Sequence, residues 1–489
     1  MMALRRLLPE LPLSAAVAGR QINRLCLDSR RLQPGDTFVA VPGEQRDGRL
    51  HIDAAVHAGA ITVLAEAAHF SEAEQGGVPI IGVPALRSQL GELAARFHHH
   101  PEQQLTLLGV TGTNGKTSVS WFLRDAMNAL QQPCALLGTL GSDFSDYHAE
   151  AAHTTPDVLS LYQSLAAFRD RGARYVAMEV SSHALAQNRL AGLSLSVAAF
   201  TNLSRDHLDY HGDMDQYFAA KKSLFYGHQI SSAVINSDDR YGARLADELA
   251  KNIRCLRVGQ QGEVSCLRST YSSAGIEADI RVAGEVISLS VPLYGEFTIS
   301  NLLLVAGMLA VQGFSAADIA HALNGVTAVP GRMQPVTRAG GPQVLVDFAH
   351  TPAALQQALT SVRQHFNGKL WCVVGCGGNR DSGKRPQMAA IAEQFSDRLI
   401  FTADNPRHEP LENIIADMLA GVRHVDVVEV QPERPAAIES AICQAAVEDV
   451  VLVAGKGHEK WQEIADDKIA MDDVALSSAA LQRRKEAGQ

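Results

Sequence analysis

The chain has 489 residues, a formal net charge of −10 at pH 7 and 46% hydrophobic residues. At ~150 residues per domain, this length predicts about three domains, and the acidic balance argues against non-specific binding to nucleic acid or to an acidic membrane surface. The seven cysteines are scattered and odd in number, so we expect reduced thiols in a cytoplasmic protein. No apolar run reaches the roughly 18 residues of a membrane span, so no membrane partner is expected.

The first hundred residues are predicted to form a small α/β domain. Short apolar runs at residues 24–28, 37–41 and 60–65 indicate strands, because turns with proline and glycine separate them. His98, His99 and His100 stand directly before Pro101. Three consecutive side chains point in different directions from a helix, so they indicate a helix end at a domain boundary rather than a metal site.

A strand, a glycine-rich turn and a helix follow one another between Leu105 and Met127. Glycines at 112 and 115 let the backbone approach phosphate oxygens, and the N–H groups at the helix start attract an anion. Lys116 would reach the β- and γ-phosphates of ATP, and the Thr117 hydroxyl would bind Mg²⁺. The general phosphate-loop pattern has glycine where this chain has Val110. A simple Gly/Asn turn with a solvated lysine is the alternative interpretation.

The stretch from 102 to 332 is predicted to form a mainly parallel, doubly wound sheet. A strand at 175–179 ends on Glu179, and the strand at 197–200 is followed by a polar segment with Asp206 and His207. Open α/β sheets bind ligands at such strand ends, so Glu179 and His207 are candidate Mg²⁺ ligands. A helix cap and a solvated histidine are the alternatives. Lys221 lies in a predicted helix and, by itself, has the pattern of a surface lysine.

Two further elements are predicted before the last third of the chain. Residues 264–293 alternate apolar and polar side chains, which indicates an antiparallel insertion, and residues 302–311 indicate a buried helix after Asn301.

The last third predicts a Rossmann-like domain, with strands at 344–347, 370–375, 398–402, 425–430 and 450–454. Four polar loops follow these strands, at 347–350, 377–385, 404–407 and 455–459. Loops at strand C-termini share one sheet edge, so they predict a site for a polar, anionic ligand. A dinucleotide fingerprint is missing after the first strand, so a nicotinamide cofactor is unsupported.

Together these motifs resemble those of the Mur ligases, the ATP-dependent amide-forming enzymes of peptidoglycan synthesis. The similarity is collinear from Leu27 to Glu459 and includes the segments at 111–117, 178–183, 206–207, 220–221, 330–333, 347–352 and 455–459. The resemblance implies an α/β protein with three domains. These are a small α/β UDP-substrate domain at 1–101, a central phosphate-loop, parallel-sheet ATPase domain at 102–332 and a Rossmann-like amino-acid domain at 333–489.

Within this family, the chain most resembles the members that add diaminopimelate. The resemblance implies ATP-dependent addition of meso-diaminopimelate to the D-Glu γ-carboxylate of UDP-MurNAc-L-Ala-D-Glu through an acyl phosphate, by a cytoplasmic monomer. It implies UDP-substrate contacts from two groups of residues, which are Leu27, Ser29, Glu44, Gln45 and Arg46, then His153, Thr154, Thr155, Ser181, Gln187 and Arg189.

The resemblance also gives roles to residues around the phosphate loop. It implies that Lys221 is carbamylated by CO₂ and that it holds Mg²⁺ together with Thr117, Glu179 and His207, with Lys116, Lys221, Glu179 and His207 as the catalytic residues. The implied ATP-binding residues are Gly112, Thr113, Asn114, Gly115, Lys116, Thr117, Ser118, Asn301, Arg332 and Asp347.

The implied diaminopimelate-binding residues are Arg380, Asp404, Asn405, Pro406, Arg407, Gly455 and Glu459. Lysine-adding relatives lack an arginine at position 407, and a guanidinium can clamp the second carboxylate of diaminopimelate in a bidentate manner. A lysine-adding Mur ligase, an amide ligase like folylpolyglutamate synthase and a non-catalytic ATP-binding regulator are the alternatives.

Overall fold

The computed structural model describes residues 1–44, 46–151 and 153–487. The chain divides into two compact units, and each is described by itself. The first holds Met1–Lys116, Gln131–Ile235 and Asp239–Cys255, and the second holds Thr117–Leu130, Asn236–Asp238 and Leu256–Gln489. The division into three domains after residues 101 and 332 stays a prediction.

A five-stranded sheet occupies the start of the first unit. The three predicted strands are confirmed, although the first is short because Asp28 caps the 3-10 turn Ser29–Arg31. All neighbouring strands are parallel except the last pair. In sheet order, the strands are Leu25–Cys26, Thr37–Ala40, Thr62–Ala67, Val78–Pro84 and Ser71–Gln75.

Short elements and one longer helix accompany this sheet. Helix Leu86–Phe97 ends directly before the three histidines, and the 3-10 turn Pro101–Gln103 follows them. His99 and His100 have φ angles of +58° and +51°, which confirms the predicted helix end. The remaining elements are the strand pair Met2–Ala3 and Gln21–Ile22, the helices Leu4–Leu7, Ala15–Ala18 and Ile52–His57, and the 3-10 turn Gly48–His51.

A larger sheet forms the centre of the first unit. Its inner strands are parallel and buried on both faces, which explains their nearly continuous apolar sequences. The register pairs Glu179 with Val110 and Phe200 with Thr111, so three strands end at the same edge. Seven of its eight strands are, in order, Tyr147–Ala149, Gly141–Phe144, Cys134–Gly138, Tyr175–Glu179, Thr106–Thr111, Val197–Phe200 and Ser232–Asn236.

Helices connect the strands of this sheet. The helix predicted around Lys221 is confirmed as Met214–Lys222. The other helices of the first unit are Val158–Asp170, Ser182–Ala186, Leu208–His211, Leu224–Gly227 and Arg240–Leu249.

The second unit begins with the remainder of the helix Lys116–Ala129, whose apolar positions Val119, Phe122, Leu123 and Ala126 are buried as predicted. Strand Arg254–Val258 leads into the rest of this unit. The predicted antiparallel insertion is a three-stranded sheet of Ser265–Ser272, Gly275–Val282 and Glu285–Val291. The predicted buried helix is Phe297–Val311, and helix Ala316–Asn324 follows it.

A six-stranded sheet completes the second unit and confirms the predicted alternation of strands and helices. All neighbouring pairs are parallel except the first. The strand predicted at 425–430 is shorter, because Val425–Val427 forms a 3-10 turn. In order, the strands are Gln334–Val336, Gln343–Asp347, Val450–Ala454, Leu370–Val374, Arg398–Phe401 and Val428–Val430.

Five helices and a hairpin flank this sheet. Separate apolar cores hold the alternate side chains of its strands, with Leu345 and Cys372 in one core and Val346 and Val373 in the other. The helices are Pro352–His365, Lys384–Phe395, Leu411–Leu419, Arg434–Gln444 and Asp473–Ala487, and the hairpin pairs Trp461–Ile464 with Asp467–Ala470.

Two predictions from composition can be compared with the whole fold. All seven cysteines are free thiols. Within the described residues, no helix combines the length and the hydropathy of a membrane span.

Candidate active site

The phosphate loop in the first unit is anchored on the neighbouring strand end. Gly112 follows strand Thr106–Thr111 with a φ of +145°, and a Cβ atom there would lie 1.9 Å from the Thr201 hydroxyl oxygen. Only glycine fits this position. The Asn114 N–H donates to the Asn202 side-chain oxygen at 3.0 Å. The path of the loop is therefore fixed by packing as well as by its own glycines.

Lys116 lies on the inside of this loop. Its Nζ donates to the carbonyl oxygens of Gly112 at 2.9 Å and Thr113 at 2.8 Å. Helix Lys116–Ala129 begins at the same residue, and Thr117 and Ser118 are its next, buried residues. An ammonium group inside a loop at a helix start is what a phosphate site requires. The structure thus places five predicted ATP-binding residues, 112–116, in one loop of the first unit.

Lys221 is buried rather than exposed. Only 1% of the residue is accessible, and its Nζ donates to the Gly112 carbonyl oxygen at 2.6 Å. Burial lowers the pKa of Lys221 well below its usual value, and the positive charge of Lys116 lowers it further. A lowered pKa favours the neutral amine, which is the nucleophilic form of lysine.

Glu179 is buried at the end of its strand. Its two carboxylate oxygens accept hydrogen bonds from Thr139, one from the N–H at 2.7 Å and one from the hydroxyl at 3.1 Å. Thr139 was not predicted as a site residue. Its only sequence signal is its position directly after strand Cys134–Gly138, at the same sheet edge.

His207 lies on the loop after strand Val197–Phe200. Its ring is 4.8 Å from the ring of His183, and its Nε2 is 3.4 Å from an Asp206 oxygen. Burial lowers the pKa of His207 although Asp206 opposes this shift, so the ring stays neutral at pH 7. Neutral imidazole is the metal-binding form of histidine.

The donor set allows a test of the predicted Mg²⁺ site. Among the described residues, no three or more His, Cys, Asp or Glu side chains are grouped so that they could hold a metal ion. The predicted set contains two such residues, Glu179 and His207. It gains a third ligand, which is hard and anionic like Glu179, if Lys221 carries a carbamate.

A cavity of about 1920 Å³ lies within the first unit. Ligand pockets usually measure about 300 to 1,000 Å³, so this one has room for a ligand larger than a nucleotide alone. Seven predicted UDP-substrate residues line it, namely Leu27, Ser29, Glu44, Arg46, His153, Gln187 and Arg189.

Three predicted residues lie outside the lining of this cavity. Thr155 is fully buried, and its hydroxyl donates to the Glu179 carbonyl oxygen at 2.9 Å and lies 3.3 Å from the Ser181 hydroxyl. The Thr154 hydroxyl lies 3.3 Å from that of Thr139. These residues therefore connect the cavity wall with the strand end of Glu179. Gln45 falls outside the described residues.

Glu44 is held by two other residues that line the cavity. Its Oε2 accepts hydrogen bonds from the Tyr210 hydroxyl at 2.7 Å and from Gln187 Nε2 at 3.0 Å. Arg189 donates to the Gln187 side-chain oxygen and to the Thr155 carbonyl oxygen. Tyr210 was missed by sequence analysis, although it follows His207 by three positions in the same polar segment.

The polar loops of the second unit meet as predicted at the C-terminal edge of the six-stranded sheet. Asn405 Nδ2 donates to Glu459 Oε2 at 2.9 Å. Arg407 donates from Nε to Glu463 at 2.9 Å and from Nη1 to the Gly378 carbonyl oxygen at 3.0 Å. We call this the loop cluster, and it comprises Arg380, Asp404, Asn405, Arg407, Lys456, Glu459 and Glu463.

The other predicted members lie beside the same loops. A Cβ atom built on Gly377 would be 3.1 Å from Arg407 Nη1 and 3.9 Å from Arg380 Cγ, so both arginines lie next to this glycine. Gly455 lies against the Asp404 carboxylate, and the Pro406 carbonyl lies against Gly378. Lys456 and Glu463 were not predicted.

Two predicted ATP-binding residues are also close together in the second unit. The Arg332 guanidinium lies 4.7 Å above the Phe348 ring, and Asp347 accepts a hydrogen bond from the Met333 N–H at 2.7 Å. Burial raises the pKa of Asp347, while the charge of Arg332 opposes this shift. Asn301 is buried in helix Phe297–Val311.

Three family models match the chain in succession. The model for the Mur ligase family catalytic domain matches residues 21–98, the Mur ligase middle domain matches 110–309, and the Mur ligase glutamate ligase domain matches 331–457. Together these ranges cover most of the chain.

Similar proteins agree with these matches. The chain is 46% identical to UDP-N-acetylmuramoyl-L-alanyl-D-glutamate–2,6-diaminopimelate ligase of Xylella fastidiosa, over 98% of this chain and 97% of the relative. It is 45% identical to the ligase of the same name from Pseudomonas aeruginosa, over 94% and 95% of the two chains. A solved structure of a ligase with this name has a TM-score of 0.69 at 32% identity and covers 99% of both chains. The chain belongs to the Mur ligase family.

Proposed function

We propose that this protein adds meso-diaminopimelate to the γ-carboxylate of D-glutamate in UDP-MurNAc-L-Ala-D-Glu, with hydrolysis of ATP to ADP and phosphate. The reaction belongs to peptidoglycan precursor synthesis, and relatives named for it match nearly the full length of the chain. The observation that carries the proposal is the loop cluster. It combines a carboxylate, Glu459, for an ammonium group with the Arg407 guanidinium for a carboxylate, and Arg380 lies beside the same loop.

The first unit supplies the chemistry of activation. Its cavity takes the nucleotide-sugar peptide, and Lys116 stabilises negative charge on the phosphoryl group as the γ-carboxylate attacks it. Mg²⁺, when bound, would neutralise phosphate charge, and the residues that would hold it are Thr117, Glu179, His207 and carbamylated Lys221. The products of this step are an acyl phosphate and ADP.

The second unit supplies the amine. Glu459 and Asn405 hold an ammonium group of diaminopimelate, and Arg407 with Arg380 holds a carboxylate. The reacting amine of the same molecule attacks the acyl phosphate, and phosphate leaves from the tetrahedral intermediate. We further propose that the enzyme acts as a monomer in the cytoplasm, where ATP and the nucleotide-sugar substrate are available.

Phosphate release with a panel of substrates tests this proposal. We expect turnover with UDP-MurNAc-L-Ala-D-Glu, ATP and meso-diaminopimelate together, and background release when any one is omitted. Lysine in place of diaminopimelate distinguishes a lysine-adding ligase, and folate with glutamate distinguishes a ligase like folylpolyglutamate synthase. ATP binding without turnover on any substrate pair would identify a regulator instead.

Arg407→Ala is expected to raise the KM for meso-diaminopimelate by about 10- to 100-fold, because a charged hydrogen-bonding partner of a carboxylate is lost. Arg407 Nη2 has no hydrogen-bonding partner among the described residues, so it is available to a ligand. Lysine has no second carboxylate, so any turnover with lysine is expected to change little. Steady-state kinetics with both amino acids measure the difference.

Arg398→Ala is the matched control, since Arg398 is exposed at the start of a strand in the same sheet. It should leave both KM values unchanged. An equal loss of activity with diaminopimelate and lysine in Arg407→Ala would remove Arg407 from substrate selection.

A further inference from the structure

Lys456 is a fully buried lysine in the middle of the loop cluster. Its residue accessibility is 0%, and it follows strand Val450–Ala454 by two positions. Its Nζ donates to Asn405 Oδ1 at 2.9 Å and to Glu459 Oε2 at 3.0 Å. An Asp404 oxygen lies 4.0 Å away. A buried ammonium group is costly unless it is paired and hydrogen-bonded, so these partners account for its position.

These contacts fix the orientation of the Asn405 amide. Asn405 Oδ1 accepts from Lys456 and from the Glu463 N–H at 2.9 Å, and Nδ2 donates to Glu459. A rotated amide would place a donor against two donors. Glu463 in turn binds Arg407 Nε. Lys456 is therefore linked directly to Glu459, and through Asn405 and Glu463 to Arg407.

The charges of the cluster also depend on Lys456. Arg434 and Asp473 are fully buried and pair with each other at 2.7 Å, and the charges of Arg434 and Lys456 both act on Asp404. Without the charge of Lys456, Asp404 and Glu459 would be two neighbouring carboxylates with less positive charge beside them. Neighbouring like charges repel each other, so both side chains would be held less firmly. With Lys456 present, Oε2 of Glu459 is neutralised, while Oε1 has no hydrogen-bonding partner among the described residues.

From these contacts we infer that Lys456 is a positioning residue for the amino-acid substrate. It holds Glu459 and Asn405 so that Glu459 Oε1 meets the ammonium group of the substrate, and through Asn405 and Glu463 it sets the place of Arg407. This inference rests on the proposed function, because it takes the loop cluster as the diaminopimelate site.

Lys456→Met keeps an unbranched side chain that is one heavy atom shorter, and it removes the charge and the hydrogen-bond donors. We expect the KM for meso-diaminopimelate to rise by about 10- to 100-fold while kcat falls by less than about threefold. The KM values for ATP and the UDP-dipeptide should stay within about twofold of the parent protein, because neither substrate uses this cluster in our proposal. Lys460→Met, an exposed lysine of the same loop, is the control and should change none of these values.

A second pair of variants separates positioning from simple loss of stability. Lys456→Gln can still donate a hydrogen bond without a charge, and it should fold and have a smaller KM increase than Lys456→Met. If Lys456 acts through Glu459, the KM effects of Lys456→Gln and Glu459→Gln should be less than additive in the double variant. Additive effects, or equal increases in all three KM values, would overturn the inference.

The parent protein is assayed first with diaminopimelate and with lysine. Turnover with lysine but not with diaminopimelate would refute the proposed substrate. The Lys456 variants would then be assayed with lysine, whose ammonium group needs the same Glu459 carboxylate. An unchanged KM for the accepted amino acid in Lys456→Gln and Lys456→Met would overturn the inference in either case.

Discussion

Lys116→Ala is expected to abolish diaminopimelate-dependent ADP release, with kcat lower by about 10³-fold. The Lys116 ammonium is the positive charge held inside the phosphate loop, where it bonds to the carbonyl oxygens of Gly112 and Thr113. Phosphoryl transfer depends on charge stabilisation at the transferring group, and an alanine supplies none. A coupled assay of ADP release with saturating substrates measures the loss.

Lys116→Ala also removes two hydrogen bonds within the loop, so its stability must be compared with that of the parent protein. Lys251→Ala is a matched control, because Lys251 is an exposed lysine of the same unit. We expect unchanged turnover in this control and similar thermal unfolding in both variants. We also expect Lys116→Ala to bind the UDP-dipeptide normally, since this residue does not line the cavity. Near-normal turnover in folded Lys116→Ala would refute the phosphate-loop assignment.

Much of the fold could be predicted because its signals are local. The runs at 105–110, 370–375 and 450–454 are apolar because parallel strands are buried on both faces. Polar residues that follow such strands are predicted to meet at one sheet edge. The contact between Asn405 and Glu459 confirms this prediction. The pattern around Val425 misled because three residues form a 3-10 turn before the strand begins.

The contacts that organise the sites could not be predicted, because they join residues far apart in sequence. Thr139 binds Glu179 forty positions away, and Tyr210 binds Glu44 at a separation of 166 positions. Glu463 lies in a hairpin outside all four polar loops, yet it holds Arg407. No periodicity or spacing in the sequence indicates these hydrogen-bonded pairs.

The burial of Lys221 also could not be predicted from the sequence. Lys221 stands beside Lys222 at the end of its helix, and the sequence alone favours an exposed lysine. Only the resemblance to the Mur ligases suggested a role. The structure shows that the side chain is buried and that its Nζ contacts the phosphate loop.

Lys221→Ala is expected to be inactive and to regain part of its turnover when a small carboxylate such as acetate is added. The substitution removes the amine that would carry the carbamate and leaves space at a buried position beside Gly112. A carboxylate bound in this space would restore the negative charge without the covalent link. ADP release measured over a series of acetate concentrations tests the rescue.

Lys222→Ala is the matched control, because Lys222 is the next residue of the same helix and pairs with Glu248 instead. It should keep its turnover and should not respond to acetate. Incubation with ¹³C-labelled CO₂ gives an independent measurement by NMR. We expect a carbamate signal in the parent protein and in Lys222→Ala, and none in Lys221→Ala.

The pH dependence of this signal follows from the burial of Lys221. Because its pKa is lowered, the amine stays neutral and reactive at pH values where an exposed lysine is protonated. As pH falls through the lowered pKa, the amine takes up a proton and can no longer attack CO₂, so the carbamate signal and the turnover should decrease together. Full activity in a protein without the carbamate signal would refute the modification. The predicted metal site would then have only two anionic or imidazole ligands, Glu179 and His207, with no third one to complete it.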